Sequence, residues 1–208
     1  NIRLNRKEYM LVKDAKKITE SLTRTSKMPG LSYSLPAWAC QTGAKLRKIP
    51  SSPCFGCYAM KGNYTRYPAI KAAQYRRLDA IDNPLWVEAM VTQIKRQKWF
   101  RWHDAGDLQS VDHMNKIIEV CKQTPGTQHW LPTQERQYLP DPEAVPANLI
   151  IRLSAAKVNG TAGNAWSHSS TVVTDGTASC AAPDQGGKCL DCRACWSKDI
   201  KNVSYGKH

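Results

Sequence analysis

Seven of the eight cysteines in this chain fall into two groups, Cys40 with Cys54 and Cys57, and Cys180 with Cys189, Cys192 and Cys195. Grouped sulfurs force the backbone to converge on them, so this layout constrains the fold more than any hydrophobic pattern present. The run Cys189, Cys192 and Cys195 brings three thiolates onto one compact turn, the usual grip on an iron–sulfur cluster, and Cys180 supplies a fourth ligand. The first group has three sulfurs, so a four-iron cluster there keeps one iron without a protein ligand, open to substrate or cofactor. The spacing therefore predicts two 4Fe-4S clusters, the first reactive and the second closed. A single cluster shared between the groups is the variant, and Cys180 is able to close either site.

Zinc is the alternative metal, but structural zinc typically takes two C-x-x-C pairs, and this chain offers one pair and then a triplet. Disulfides suit small secreted domains, whereas 208 residues are enough for a core without staples. Sulfurs two residues apart also bridge poorly, so the expectation is a reducing compartment. Cys121 lies apart from both groups and falls on an apolar helical stripe, where it reads as a small buried hydrophobe.

Lys and Arg total 30 against 17 Asp and Glu, a formal charge of +13. Two thiolate-bound clusters would remove only about three of those charges. The surface thus favours anionic partners, a nucleic acid or nucleotide first. No run exceeds three basic residues, so any footprint must be assembled by folding. No window approaches the ~20 apolar residues of a membrane helix, and the opening NIRLNRKEYM lacks a signal-peptide stretch. A soluble, cytoplasmic protein with no membrane partner is expected, its oligomeric state left open; the first residue, Asn1, suggests that a leading segment has been removed.

Residues 1–30 read as a polar, basic entry segment with a short helix over Asp14–Leu22. A loop rich in Pro, Gly and Ser follows to Tyr64 and carries the first three cysteines. Three apolar stripes at helical spacing come next: Ile70, Ala73, Leu78 and Ile81; Val87, Met90, Val91 and Ile94; Met114, Ile117, Ile118 and Cys121. Between and after them lie strand-like runs at Trp99–His103, His129–Thr133, Leu149–Leu153 and Thr171–Thr174. Strands alternating with helices point to parallel β/α units, an α/β fold built as a barrel or as an open sheet. Residues 1–178 form that unit with its cysteine loop, and residues 179–208 form a cysteine-rich segment packed on it.

Polar groups at the C-terminal ends of parallel strands are where α/β folds place their sites. His103 and Asp107 are the candidates for acid/base or substrate contacts, with Asp104 as a second carboxylate. Thr133, Gln134, Glu135 and Arg136 follow the next strand, and Arg152 with Ser154 the one after, a repetition that points to one shared pocket. Basic and aromatic residues interleave at Lys61, Tyr64, Arg66, Tyr67, Lys71, Tyr75, Arg76 and Arg77, a pattern suited to stacking on a single-stranded or flipped-out base, or to a helix with a solvated basic face and packed tyrosines.

The stretch Cys54-Phe55-Gly56-Cys57-Tyr58 resembles the latter half of the radical S-adenosylmethionine signature, although Pro50 stands where that superfamily has its first cysteine. Taken in order, SYSLPAWAC, CFGCYA, RWHDAGDL, PANLIIRLSA and CLDCRACW resemble the bacteriophage gene product eighty-eight family over roughly residues 28–208. The resemblance implies a compact, radical-SAM-like partial (β/α) barrel with a cysteine-rich C-terminal segment and a strand-end His-x-x-Gly-Asp motif, here His103, Gly106 and Asp107. It implies bound metal and a place of action in the host cytoplasm; joined to the cysteine spacing and the basic charge, the expectation is an iron–sulfur redox or radical enzyme acting on nucleic acid or nucleotide, with S-adenosylmethionine as the candidate cofactor at the open iron. Phe55, Tyr58, Gly106, Arg152 and Ser154 would then hold the cofactor, and Tyr64, Arg66, Tyr67, Gln134 and Arg136 the substrate. The rival expectation is a non-enzymatic nucleic-acid or host-protein binder that uses its metal only to fold.

Overall fold

Six strands form one parallel sheet in the order in which they occur along the chain: β1 (Leu31–Tyr33), β2 (Trp99–Trp102), β3 (Gln128–Thr133), β4 (Leu149–Ser154), β5 (Ser169–Val173) and β6 (Asn202–Gly206). This is a computed structural model, and it describes residues 9–207; residues 1–8 of the entry segment and His208 lie outside the described residues. The sheet is open, with β1 and β6 as its edges. Every strand therefore returns by a crossover. The first contains α2 (Gln41–Leu46), α3 (Asn63–Arg66), α4 (Pro68–Ala80) and α5 (Trp86–Ile94), and the second is α6 (Val111–Gln123). Later crossovers contain only short 3-10 turns and loops, and the one between β5 and β6 carries the four C-terminal cysteines.

Alternation along each strand divides the sheet into two faces. Phe100 and Trp102 of β2, Leu131 of β3 and Ile151 of β4 pack with Trp86, Met90 and Ile94 of α5 and Met114 and Ile117 of α6. Trp130 and Ile150 point the other way and pack with Met28 and Trp196. The helices thus cover one face, and the cysteine segment lies on the opposite one. Short α1 (Val12–Thr19) ends where Glu20 adopts a φ of 64°. Among the described residues no helix is long and apolar enough to cross a membrane.

The expected α/β class and four expected strands are present, each within two residues of its predicted end. Helix α6 opens at Ser110, whose hydroxyl accepts from the His113 amide at 3.0 Å, and its predicted stripe is buried, Cys121 included. The stripe on α4 holds at its C-terminal end, where Ile81 is buried and Leu78 packs on the core, and fails at its start, where Ile70 is exposed. Gln74, Arg77 and Ala80 are also buried, and the Arg77 guanidinium donates to the Ser21 and Ser34 carbonyls, so hydrogen bonds orient this helix along with apolar packing.

Candidate functional site

Cys180, Cys189, Cys192 and Cys195 line one hollow, whose remaining walls are alanines, Trp196 and Val203. The donor set is all sulfur in an apolar enclosure, chemistry that suits iron–sulfur clusters or zinc and excludes hard cations. Backbone bonds fix the loop: the Cys180 amide donates to Ser204 O at 3.0 Å and the Cys189 amide to Lys27 O at 2.8 Å. The hydroxyl of Tyr205, on β6, sits 3.2 Å from Cys195 Sγ. Burial pushes the Cys189 and Cys195 thiols up, and nearby Lys27 and Arg101 oppose that shift.

Arg152 holds this loop from beneath. The side chain is wholly buried, and its guanidinium donates to the carbonyls of Ala194, Cys195, Ser197, Ile200, Ser169 and Lys201, at 2.8 to 3.4 Å. All its donors face backbone, so the expected contact with a cofactor is replaced by a structural one. Ser154 is likewise committed to Ser170, 3.0 Å away.

The first cysteine group is assembled at the C-terminal end of the sheet. Cys40 precedes α2, and Cys57 closes a tight turn by donating its amide to Cys54 O at 3.2 Å. Gly43 makes the convergence possible. A Cβ there would lie 2.9 Å from Cys40 Cβ, 3.8 Å from Cys40 Sγ and 3.9 Å from Cys54 Sγ, so any side chain would intrude on the space shared by the two sulfurs. Burial raises the Cys40 thiol strongly, reinforced by Asp107, Cys57, Cys54 and Glu135; burial and then Cys57 push Cys54 up to about 11. Ionising several such thiols together is costly unless a cationic metal core compensates. Among the described residues no three His, Cys, Asp or Glu side chains converge closely enough to hold a single metal ion.

Asp107 and Glu135 stand beside Cys40. Asp107 is buried and accepts from Leu108 N at 2.8 Å, Thr133 Oγ1 at 2.6 Å and Gln134 N at 2.8 Å, yet desolvation outweighs these bonds and raises its carboxyl to about 7. That value suits a group that exchanges protons near neutrality. Glu135, fully buried, accepts from the amides of Gln41 and Thr42 and from the Thr42 hydroxyl. Thr133 and Glu135, two of the polar groups expected at the end of β3, are the ones that reach this cluster. Gly106, with a φ of 80°, sits where a Cβ would be 2.5 Å from Leu35 Cβ, so it docks the cysteine loop and does not itself line a cofactor pocket.

His103 is turned away from this cluster. It takes a φ of 53°, packs its ring 5.2 Å from that of His113 and 6.4 Å from that of Trp102, and is thus placed on the helix side of the sheet. Neither ring nitrogen has a hydrogen-bond partner among the described residues. Asp104 is buried, accepts from Ser34 Oγ and Tyr64 Oη, and its carbonyl accepts from Tyr58 Oη at 2.6 Å. Tyr58 and Tyr64 therefore turn their hydroxyls inward, while the rings of Phe55, Tyr58 and Tyr67 are about half exposed. Arg66 is exposed beside them, and Lys71 lies 4.9 Å over the exposed ring of Trp38, an aromatic the sequence did not single out. Gln134 and Arg136 donate instead to the Ala155 and Ala162 carbonyls, tying down the loop after β4 rather than facing outward.

A family model described as gene product 88 matches residues 8–198. No curated protein and no solved structure matches the chain.

Proposed function

The chain belongs to the gene product 88 family, and from that premise we propose that it is an iron–sulfur protein performing redox or radical chemistry on a nucleic acid or nucleotide. The observation that carries this is the pair of sulfur groupings: four cysteines around one apolar hollow, and Cys40 and Cys54 brought together across Gly43, with Cys57 on the same tight turn as Cys54. Sequential parallel strands support reading the open sheet as the wall of a partial, radical-SAM-like barrel. Cys40, Cys54 and Cys57 would hold the reactive cluster, and Cys180, Cys189, Cys192 and Cys195 the closed one. When bound, such groups supply one-electron transfer, and a three-cysteine site adds an open iron, where S-adenosylmethionine is the candidate ligand. Asp107 holds or releases a proton at its carboxyl beside Cys40. The exposed rings of Trp38, Phe55, Tyr58 and Tyr67, interleaved with Arg66 and Lys71, offer stacking and phosphate contacts to an unpaired base. In a phage-infected bacterium the place of action would be the host cytoplasm.

Anaerobic reconstitution tests the metal. About eight irons and eight sulfides per chain are expected, falling to about four when Cys40, Cys54 and Cys57 are all changed to Ser. Tightly held zinc without sulfide would replace this reading with that of a binder whose metal only supports the fold. That second reading draws on one observation, the removal of His103 from the thiols to the helix side. For the substrate, binding of a single-stranded oligonucleotide should weaken at least tenfold between 50 and 200 mM salt by counterion release. Salt-insensitive or absent binding would remove nucleic acid from the proposal.

A further inference from the structure

The two cysteine groups differ in the balance of charge around them: carboxyls dominate at the first, where Arg47 is the cation acting on Cys54, and cations at the second. Beside Cys40, the Glu135 carboxylate takes the Gln41 and Thr42 amides at 3.0 and 2.8 Å, donors that open α2 and would otherwise be available to the adjacent sulfur. Asp107 adds a second carboxyl acting on both Cys40 and Cys54. Around the C-terminal group the balance is reversed. Arg101 and Arg152 act on Cys195, and Lys27 and Arg193 on Cys189. Arg193 also donates to the Cys192 carbonyl at 2.7 Å. Tyr205 Oη is 3.2 Å from Cys195 Sγ, and because a ligating thiolate only accepts, the hydroxyl must be the donor.

Arg101 is the least explained of these cations. It projects from β2 onto the same face as the cysteine segment, with its guanidinium 4.5 Å over the Trp130 ring and a contact from Nη1 to Met28 Sδ. Among the described residues no carboxylate lies within ion-pair distance of it, and its Nε has no hydrogen-bond partner. Tyr58, the Asp104 carboxylate beyond ion-pair distance and Tyr205 act on it, and it in turn favours negative charge on Cys195.

Reduction adds an electron to a thiolate-bound centre that is already anionic. Nearby cations, donated hydrogen bonds and water favour the reduced form, and carboxylates disfavour it. At the first group Arg47 and the Ser52 hydroxyl act on Cys54 in the favourable sense against two carboxyls; at the C-terminal group four cations and the Tyr205 hydroxyl do so, and Cys192 is exposed. Resting on the reading that both groups hold clusters, we infer that the two centres are poised unequally: the C-terminal centre has the higher reduction potential, set by Tyr205 and Arg101, and the Cys40 centre is the stronger reductant. Electrons entering the chain would therefore rest at the C-terminal centre.

Potentiometric titration of the reconstituted full chain under argon at pH 8, followed by electron paramagnetic resonance, tests the order. Two midpoints are expected, and the one surviving in the Cys40→Ser, Cys54→Ser, Cys57→Ser variant should be the more positive. Tyr205→Phe, which removes one hydroxyl, should shift that midpoint to a more negative value and leave the other in place. Arg101→Lys should hold the C-terminal midpoint nearer to the unmodified value than Arg101→Met does, a comparison that stands if Tyr205→Phe loses its cluster. A reversed order, or midpoints indifferent to both residues, would overturn the inference while leaving two clusters intact. Reconstituted protein without acid-labile sulfide would instead overturn the proposed function, and this inference with it.

Discussion

Arg152→Met is expected to destabilise the chain by about 3–5 kcal/mol and to abolish metal uptake by the C-terminal cysteines, a loss of about four of eight irons. The effect follows from what the guanidinium does. It supplies donors to six carbonyls, five from the 3-10 turn and the end of the β5–β6 crossover, Ala194 to Lys201, and one from Ser169 at the start of β5. A methionine fills much the same volume but withdraws those donors; Lys201 O keeps the Ser169 amide and Ala194 O the Ser197 amide, while each buried carbonyl left alone costs about 1–3 kcal/mol before relaxation. Arg152→Lys should fall between, since an ammonium has three donors and lacks the planar fork. Urea unfolding of the metal-free protein measures the first effect, and iron analysis after reconstitution the second. A methionine variant within about 1 kcal/mol of the parent, with full iron content, would show that the loop holds itself by other means.

Arg152 also illustrates what could be read from the chain and what could not. Its position at the end of a parallel strand was correctly inferred from the LIIRLS run, and strand-end location is a sound guide to functional placement. Sequence gives no view of the carbonyls waiting beneath it, because they belong to a segment some forty residues away. The cysteine groups were legible because metal-ligand spacing is itself local. Gly43 was not, since its importance lies in a Cβ that is missing. Helix α6 was legible from its amphipathic period and its Ser110 cap, both encoded within one turn of the residues concerned. Strands β1 and β6 escaped notice: three residues within a loop and a short NVSYG run carry too few alternations to stand out, and only pairing with β2 and β5 defines them. His103, expected in a strand-end site, follows β2 with a positive φ and packs against His113 and Trp102, a turn that strand-end position does not reveal.

The buried imidazoles lead to the second large effect, loss of stability in mild acid. Burial lowers His113 and His129 to about 3 and His103 well below its usual value, so all three are neutral in the folded chain. Their surroundings explain this: His113 meets the edge of Trp86 at 5.6 Å, and His129 stacks on Trp102 at 5.9 Å. In the unfolded chain each imidazole takes up a proton near pH 6.5. Below that value the unfolded state binds more protons than the folded one, so stability is fully present above pH 6.5 and falls as the pH drops towards 3. Asp107 acts in the opposite sense: its raised value lets the folded state take a proton between about 7 and 3.8, which offsets one of the three histidines. The net imbalance of two protons weakens the folding equilibrium about a hundredfold per pH unit between 6.5 and 3.8. Urea titrations of reduced, metal-free protein at pH 7, 6 and 5 should follow that slope, and His113→Gln or His129→Gln should each remove about tenfold per unit from it. Unchanged unfolding midpoints from pH 7 to pH 5 would mean that these rings are protonated, or solvated, within the fold.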